Sequence, residues 1–162
     1  MKNFLLVFFL LIININFSFS ASTSSNENSN QKTNYEKAVS LIKAAKKYEK
    51  KGKVEKAEKR YQKAQKLLIK ANKKNPKNAD TLNYLGFTTR KLGDFEQGEK
   101  YYLQGLGINP KHIGINEYLG ELYVVTNRVD LAKQRLEVLK DCNCEEYSEL
   151  EAIINGSKKS KY

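Results

Sequence analysis

From Thr33 onward the chain is written in helical period. In YEKAVSLIKAAKKYEKKGKVEKAEKRYQKAQKLLIKANKKNP, small and apolar side chains return every three or four residues. They fall at Leu41, Ala44, Ala45 and Tyr48 and, beyond Gly52, at Val54, Ala57, Tyr61, Ala64, Leu68 and Ala71. That spacing lines one face of a helix. Two helices are predicted here, broken at Gly52, opened by a capping box of Thr33 with Glu36 and closed before Pro76. Farther on, Gly93 and Asp94 mark another turn, with Asp94 as the N-cap of the helix that follows. Glu145 to Asn155 reads as a last helix with Tyr147, Leu150 and Ile154 on one face, ended by Asn155 and Gly156.

The helical pattern repeats. YLGFTTRKLGDFEQGEKYYLQGLGINP aligns with YLGELYVVTNRVDLAKQRLEVLKDCNC at a shift of 34 residues, which places Gly86 on Gly120. A period of that size is the signature of a solenoid of helical hairpins. The copy from about Ala79 to His112 keeps Leu82, Leu85, Gly86, Gly98, Tyr102, Gly105 and Pro110. The copy from Ile113 to about Glu146 keeps Leu119, Gly120, Tyr123, Ala132 and Leu136. The first segment follows the same order, but Gly52 precedes Gly93 by 41 residues instead of 34, so its second helix is predicted to run seven residues longer. Seven residues are two helical turns, and the inward face is preserved. A short coiled coil is the competing reading for that segment alone.

These residues resemble the tetratricopeptide repeat, whose pattern pairs a Leu-Gly and an aromatic on a first helix with a small residue and an aromatic on a second. The resemblance implies an all-α fold, a right-handed α-solenoid of about three helix-turn-helix units with a C-terminal capping helix. The units fall at about 35–77, 79–112 and 113–144, the cap at 145–155, the domain at 33–156, and a disordered tail at 157–162. It also implies that Gly86, Gly98 and Gly105 sit where helices cross, trading about 1 kcal/mol each of intrinsic helicity for contact. In the family the concave face, lined by the first helix of each unit, binds partners. Carried onto this sequence, that face comprises Lys43, Lys46, Asn83, Tyr84, Phe87, Arg90, Tyr118 and Glu121. Asn83 and Arg90, two turns apart, are expected to hold a peptide's backbone or terminal carboxylate, and Tyr84, Phe87 and Tyr118 to offer flat apolar contact. Ordinary packing is the alternative role for those aromatics. The residue set with which some relatives grip a C-terminal carboxylate is not reproduced. YLGELY, a cysteine-bearing loop and CEEYSEL together are similar to a group of small exported bacterial tetratricopeptide-repeat proteins, which implies fold and export and no particular activity.

Upstream, Lys2 is followed by an apolar run from Phe4 to Ile13, with Ser18 and Ser20 at the small positions a signal peptidase needs. Residues 1–20 therefore read as a secretory signal, with an uncleaved anchor as the alternative, and 21–32 as a flexible leader. Export would place the chain in the periplasm or outside the cell. Of the 162 residues, 142 remain after cleavage, enough for one core. The formal charge of +11 is unevenly shared. Residues 32–77 hold 17 Lys/Arg against four Glu, whereas residues 78–157 hold eight against 13 acidic groups. A segment that basic on an exported protein could meet anionic lipid or polymer; a solvated helix face is the plainer reading.

Cys142 and Cys144 are the only cysteines, and an oxidising compartment lets them pair, as a loop staple or, less simply, as a thiol exchange site. His112 is the sole histidine and is expected to be an unpaired surface residue. No metal, cofactor, nucleic acid or small-molecule substrate is expected. No glycine-rich phosphate loop or acid/base pair is present, so the sequence reads as a non-enzymatic adaptor for another envelope protein or peptide segment.

Overall fold

The computed structural model describes residues 32–160. The expected signal at 1–20 and, apart from Lys32, the expected leader at 21–32 lie outside them. Seven helices account for the described chain, without a strand among its residues: α1 (Asn34–Glu49), α2 (Val54–Lys74), α3 (Ala79–Lys91), α4 (Phe95–Ile108), α5 (Ile113–Val125), α6 (Val129–Leu139) and α7 (Glu145–Ile154).

Local chemistry sets the ends. The Thr33 hydroxyl accepts the Glu36 amide at 3.2 Å while the Glu36 carboxylate accepts the Thr33 amide at 2.7 Å, closing the capping box on α1. Asn78 caps α3 at 2.7 Å and Asp94 caps α4 at 3.0 Å. Within each hairpin the turn is made by one left-handed residue: Gly52 (φ 66°), Gly93 (φ 93°) and Asn127 (φ 58°). Asparagine is the side chain best able to replace glycine in that region.

Helices pair as α1 with α2, α3 with α4 and α5 with α6, and each hairpin packs on the next, so that α1, α3 and α5 lie side by side. The first segment is thus a hairpin, and its apolar seam is consumed by α1 and α3, which leaves no coiled coil. Helix α2 has 21 residues against 14 in α4, and the added turns keep Leu68 fully buried with Ala57, Tyr61 and Ala64. The core continues through Tyr102, Ile115, Leu119 and Leu122 into the third hairpin. Helix α7 packs on α5 and α6 and buries Leu150 and Ile153, so the inward position is Ile153 and the flanking Ile154 is half-buried. The segment assigned to a disordered tail turns back at Gly156 over its described part. Lys158 pairs with Glu149, and the Ser160 hydroxyl lies 3.4 Å from the Glu121 carboxylate. Two glycines govern the α3–α4 crossing. A Cβ on Gly98 would stand 3.1 Å from the Gly86 carbonyl oxygen and 3.3 Å from Arg90 Cβ, while one on Gly86 would meet the Tyr102 ring at 2.5 Å.

Gly98→Val should therefore lower stability by about 3 kcal/mol and the melting temperature by about 10 °C, because the obstructing atom is backbone. Gly107→Ala, on the same helix with open space around it, should instead raise stability by roughly 0.5–1 kcal/mol. Thermal unfolding followed by circular dichroism compares the two.

Candidate functional site

Where α1, α3 and α5 run alongside one another they leave a groove of 540 Å³. Helix α1 contributes Lys46 and Glu49, with Lys50 at its C-cap and Val54 at the head of α2; α3 contributes Phe87 and Lys91; α5 contributes Glu117, Tyr118 and Glu121. Spacings of three and four residues within each helix are what place these side chains on one face.

The floor is aromatic. Phe87 meets Tyr118 at 5.1 Å between ring centroids and Tyr61 at 5.7 Å. The Lys46 ammonium lies 4.5 Å from the Phe87 ring centre and donates a hydrogen bond to the Tyr118 hydroxyl at 3.2 Å. Such a cation over a ring face is favourable by roughly 0.5–2 kcal/mol, depending on desolvation. Phe87 is only 1 % exposed, so its ring forms the base of the groove beneath Lys46, and Tyr118 supplies the more accessible aromatic surface. On the wall, Lys91 pairs with Glu49 at 2.6 Å, and Glu49 also accepts the Tyr61 hydroxyl at 2.8 Å.

Beneath the floor runs a clamp between the second and third hairpins. Arg90 donates to the Tyr118 carbonyl at 2.6 Å and to the Glu121 carboxylate at 3.1 Å, both side chains being 1 % exposed. The expected Asn83–Arg90 grip on a peptide is therefore corrected: Arg90 is committed to α5. Asn83 is buried, its amide nitrogen 2.9 Å from where a Gly114 Cβ would stand, wedged at the α3–α5 junction. Tyr84 is half-buried against Tyr35 at 6.0 Å, and Lys43 is exposed one turn before Lys46 without lining the groove. Of the eight candidates, Lys46, Phe87, Tyr118 and Glu121 come together. Glu49, Lys50, Val54, Lys91 and Glu117 were missed by sequence reasoning, although Lys46 plus three and four gives Glu49 and Lys50, and Phe87 plus four gives Lys91.

Past Tyr118 the groove opens into a recess of 190 Å³ lined by Glu117, Glu145, Glu146 and Glu149. His112 is not an idle surface group. Its Nδ1 accepts the Ile115 amide at 3.2 Å, capping α5, while its Nε2 lies 3.1 Å from the Asp80 carboxylate of the preceding hairpin. Cys142 and Cys144 form a disulfide with Cα atoms 5.2 Å apart in the α6–α7 loop, and neither lines the groove. Among the described residues, no cluster of three His, Cys, Asp or Glu could hold a metal ion.

Three paired hairpins with a shared inner face and glycines at the α3–α4 crossing have the fold of a tetratricopeptide-repeat solenoid, and residues 79–112, the second hairpin, match the family model described as tetratricopeptide repeat. The first such domain of human RPAP3 is similar at 23 % identity, over 78 % of this chain and 98 % of that one, with a TM-score of 0.55. The first repeat domain of Spaghetti, bound to the HSP90 peptide SRMEEVD, is similar at 21 % identity over 79 % and 98 %, with a TM-score of 0.54. The Yersinia enterocolitica type III secretion chaperone SycD, in complex with a peptide of the translocator YopD, is similar at 17 % identity over 73 % and 86 %, with a TM-score of 0.52. No curated protein matches the sequence.

Glu121→Gln should cost about 3 kcal/mol in urea unfolding, since it deprives a buried guanidinium of its carboxylate, whereas Arg90→Met combined with Glu121→Leu should recover most of that loss. A second expectation concerns high pH. Burial pushes the phenols of Tyr61, Tyr102 and Tyr118 well above their ordinary range and that of Tyr35 up to about 12. The unfolded chain releases those protons near pH 10 while the folded chain keeps them, so stability is full below about pH 10 and falls as pH rises beyond it. In an absorbance titration the buried phenols should ionise together with the loss of helical circular dichroism; their ionisation in a still-helical protein would contradict this burial.

Proposed function

We propose that the protein is a non-enzymatic adaptor of the bacterial envelope, exported by its N-terminal segment, that holds an extended segment of a partner protein in the groove between α1, α3 and α5. The observation that carries this reading is the groove itself: 540 Å³ open on the inner faces of three successive first helices, with an aromatic base and charged walls. Peptide complexes of two similar folds, SycD and Spaghetti, support a polypeptide ligand. The chemistry of the lining narrows the segment. An apolar side chain would rest on Tyr118 and on the stem of Lys46, while carboxylates and backbone carbonyls of the segment would face Lys50 and its donors would face Glu117. Neither Arg90 nor Asn83 takes part, because Arg90 is committed to α5 and Asn83 is buried.

Photo-crosslinking from position 50 in the native envelope should attach one defined peptide, identified by mass spectrometry, and crosslinking from exposed Gln104 on α4 should not. The synthetic form of that peptide should bind the purified protein, and Lys46→Glu should weaken binding tenfold or more with helicity unchanged. Equal affinity for wild type and Lys46→Glu would refute the groove as the site.

A further inference from the structure

The groove leaves one strong feature of the molecule unused. Along α2 the lysines at 56, 59, 63, 66, 70 and 73, continued by Lys77, follow a strict three-four alternation, and all seven are exposed. The buried seam of Ala57, Tyr61, Ala64 and Leu68 occupies the opposite side of the helix. From Lys59 to Lys77 there are eight Lys/Arg and no acidic residue. The other outer helices are built differently. On α4, Glu96 pairs with Lys100 at 2.6 Å, and on α6, Asp130 lies 3.8 Å from Lys133 and Glu137 lies 3.3 Å from Lys140. On α2 the corresponding pairing is confined to the first turn, where Glu55 meets Lys59 at 2.6 Å.

Like charges four apart on a helix oppose its formation, and nothing in the packing of α2 requires them. The two extra turns of α2 lengthen the row, and the span from Lys56 to Lys73 covers about 26 Å at the helical rise. Ile69, 49 % exposed, stands between Lys66 and Lys70 as an apolar contact within the cationic row.

We infer that the outer face of α2 docks the protein on a bilayer carrying anionic lipids. Three observations favour a lipid surface over a structured anion. The row lies on the exposed side of α2, opposite its buried seam, and none of its lysines lines the groove that could orient a polymer. Its charges are lysine ammonium groups, which respond to a diffuse potential, rather than arginine forks suited to fixed phosphate geometry. The single arginine of the stretch, Arg60, is instead placed 5.8 Å from the Tyr48 ring centre. Mobile headgroups gather under such a row without any geometric match, and each lysine near the surface contributes about a fivefold factor in partitioning. With the apolar seam committed to the core, α2 lies on the headgroups and does not insert as an interfacial helix would.

The test uses residues 31–162, which hold both hydrophobic clusters and omit the apolar run at Phe4–Ile13 that would itself partition into lipid. Co-sedimentation with vesicles of phosphatidylcholine mixed with phosphatidylglycerol should be strong, and with phosphatidylcholine alone negligible. Raising salt from about 0.01 to about 1 M, which shortens the screening length from about 30 to about 3 Å, should abolish it. Lys63→Gln, Lys66→Gln and Lys70→Gln together should reduce partitioning about a hundredfold. Lys111→Gln, Lys133→Gln and Lys140→Gln, which remove the same charge elsewhere, should change it only a few-fold. Equal loss in the two triple variants, binding that ignores salt, or capture by soluble polyphosphate without any vesicle binding would each overturn the inference. Circular dichroism melts of both variants establish that the fold is intact.

Discussion

The distance between α3 and α4 at Gly98 is the constraint on which the inner face depends. With hydrogen in place of a side chain, the second helix of the hairpin comes within contact of the Gly86 carbonyl and the Arg90 stem. The Tyr102 ring then packs directly against Gly86. A longer separation would move Phe87 and Arg90 together, since both belong to the stretch of α3 that this crossing holds. The base of the groove and the clamp to the next hairpin would shift as one body. The intrinsic helical cost of two glycines is about 2 kcal/mol, and close packing at the crossing is what offsets it.

Arg90 converts that local spacing into an angle between hairpins. Its guanidinium joins a backbone carbonyl and a carboxylate on the same turn of α5, so its geometry is fixed at two points. Replacing such a buried pair with apolar side chains is often energetically neutral, while breaking it is costly. The clamp therefore contributes definition more than net stability: it holds Tyr118 beside Phe87, where Lys46 can reach both rings. His112 acts similarly at the other end of the junction, capping α5 while contacting Asp80. Two short polar links and the apolar core between them thus set how α3 and α5 lie, and the groove is the space that remains.

How much of this was legible in the sequence follows from the range of each interaction. Caps and turns act over a few residues, so Thr33, Asp94, Gly52 and Gly93 could be placed from their neighbours alone. The repeat of Gly86 on Gly120 revealed the hairpins because a constraint on helix crossing recurs with the unit. The site was only partly legible. Periodicity gives the side of a helix that is polar, but the rotation of α3 relative to α5 decides whether that side faces open space or the next helix. Arg90 and Asn83 fell on the wrong side of that distinction, and Lys91 on the right side went unnoticed. The role of His112 is hidden from the sequence for the same reason, since Asp80 is 32 positions away and no local pattern joins them.

Charge segregation gives the two surfaces different physics. Around the groove, cations and carboxylates alternate at contact distance, as with Lys91 and Glu49, so the field cancels within a few ångströms and only a ligand already seated can sense it. Along α2 no such cancellation occurs beyond the first turn, and the field of the row extends to about the Debye length, roughly 8–10 Å at physiological salt. The balanced face is suited to selecting a partner by contact, and the unbalanced face to attraction from a distance before contact. Since α2 presents its charge on the side opposite its seam with α1 and α3, a surface that attracts this row need not cover the groove. The two binding events are then separable by mutation: neutralising the row leaves every groove contact in place, and altering Lys46 leaves the row intact.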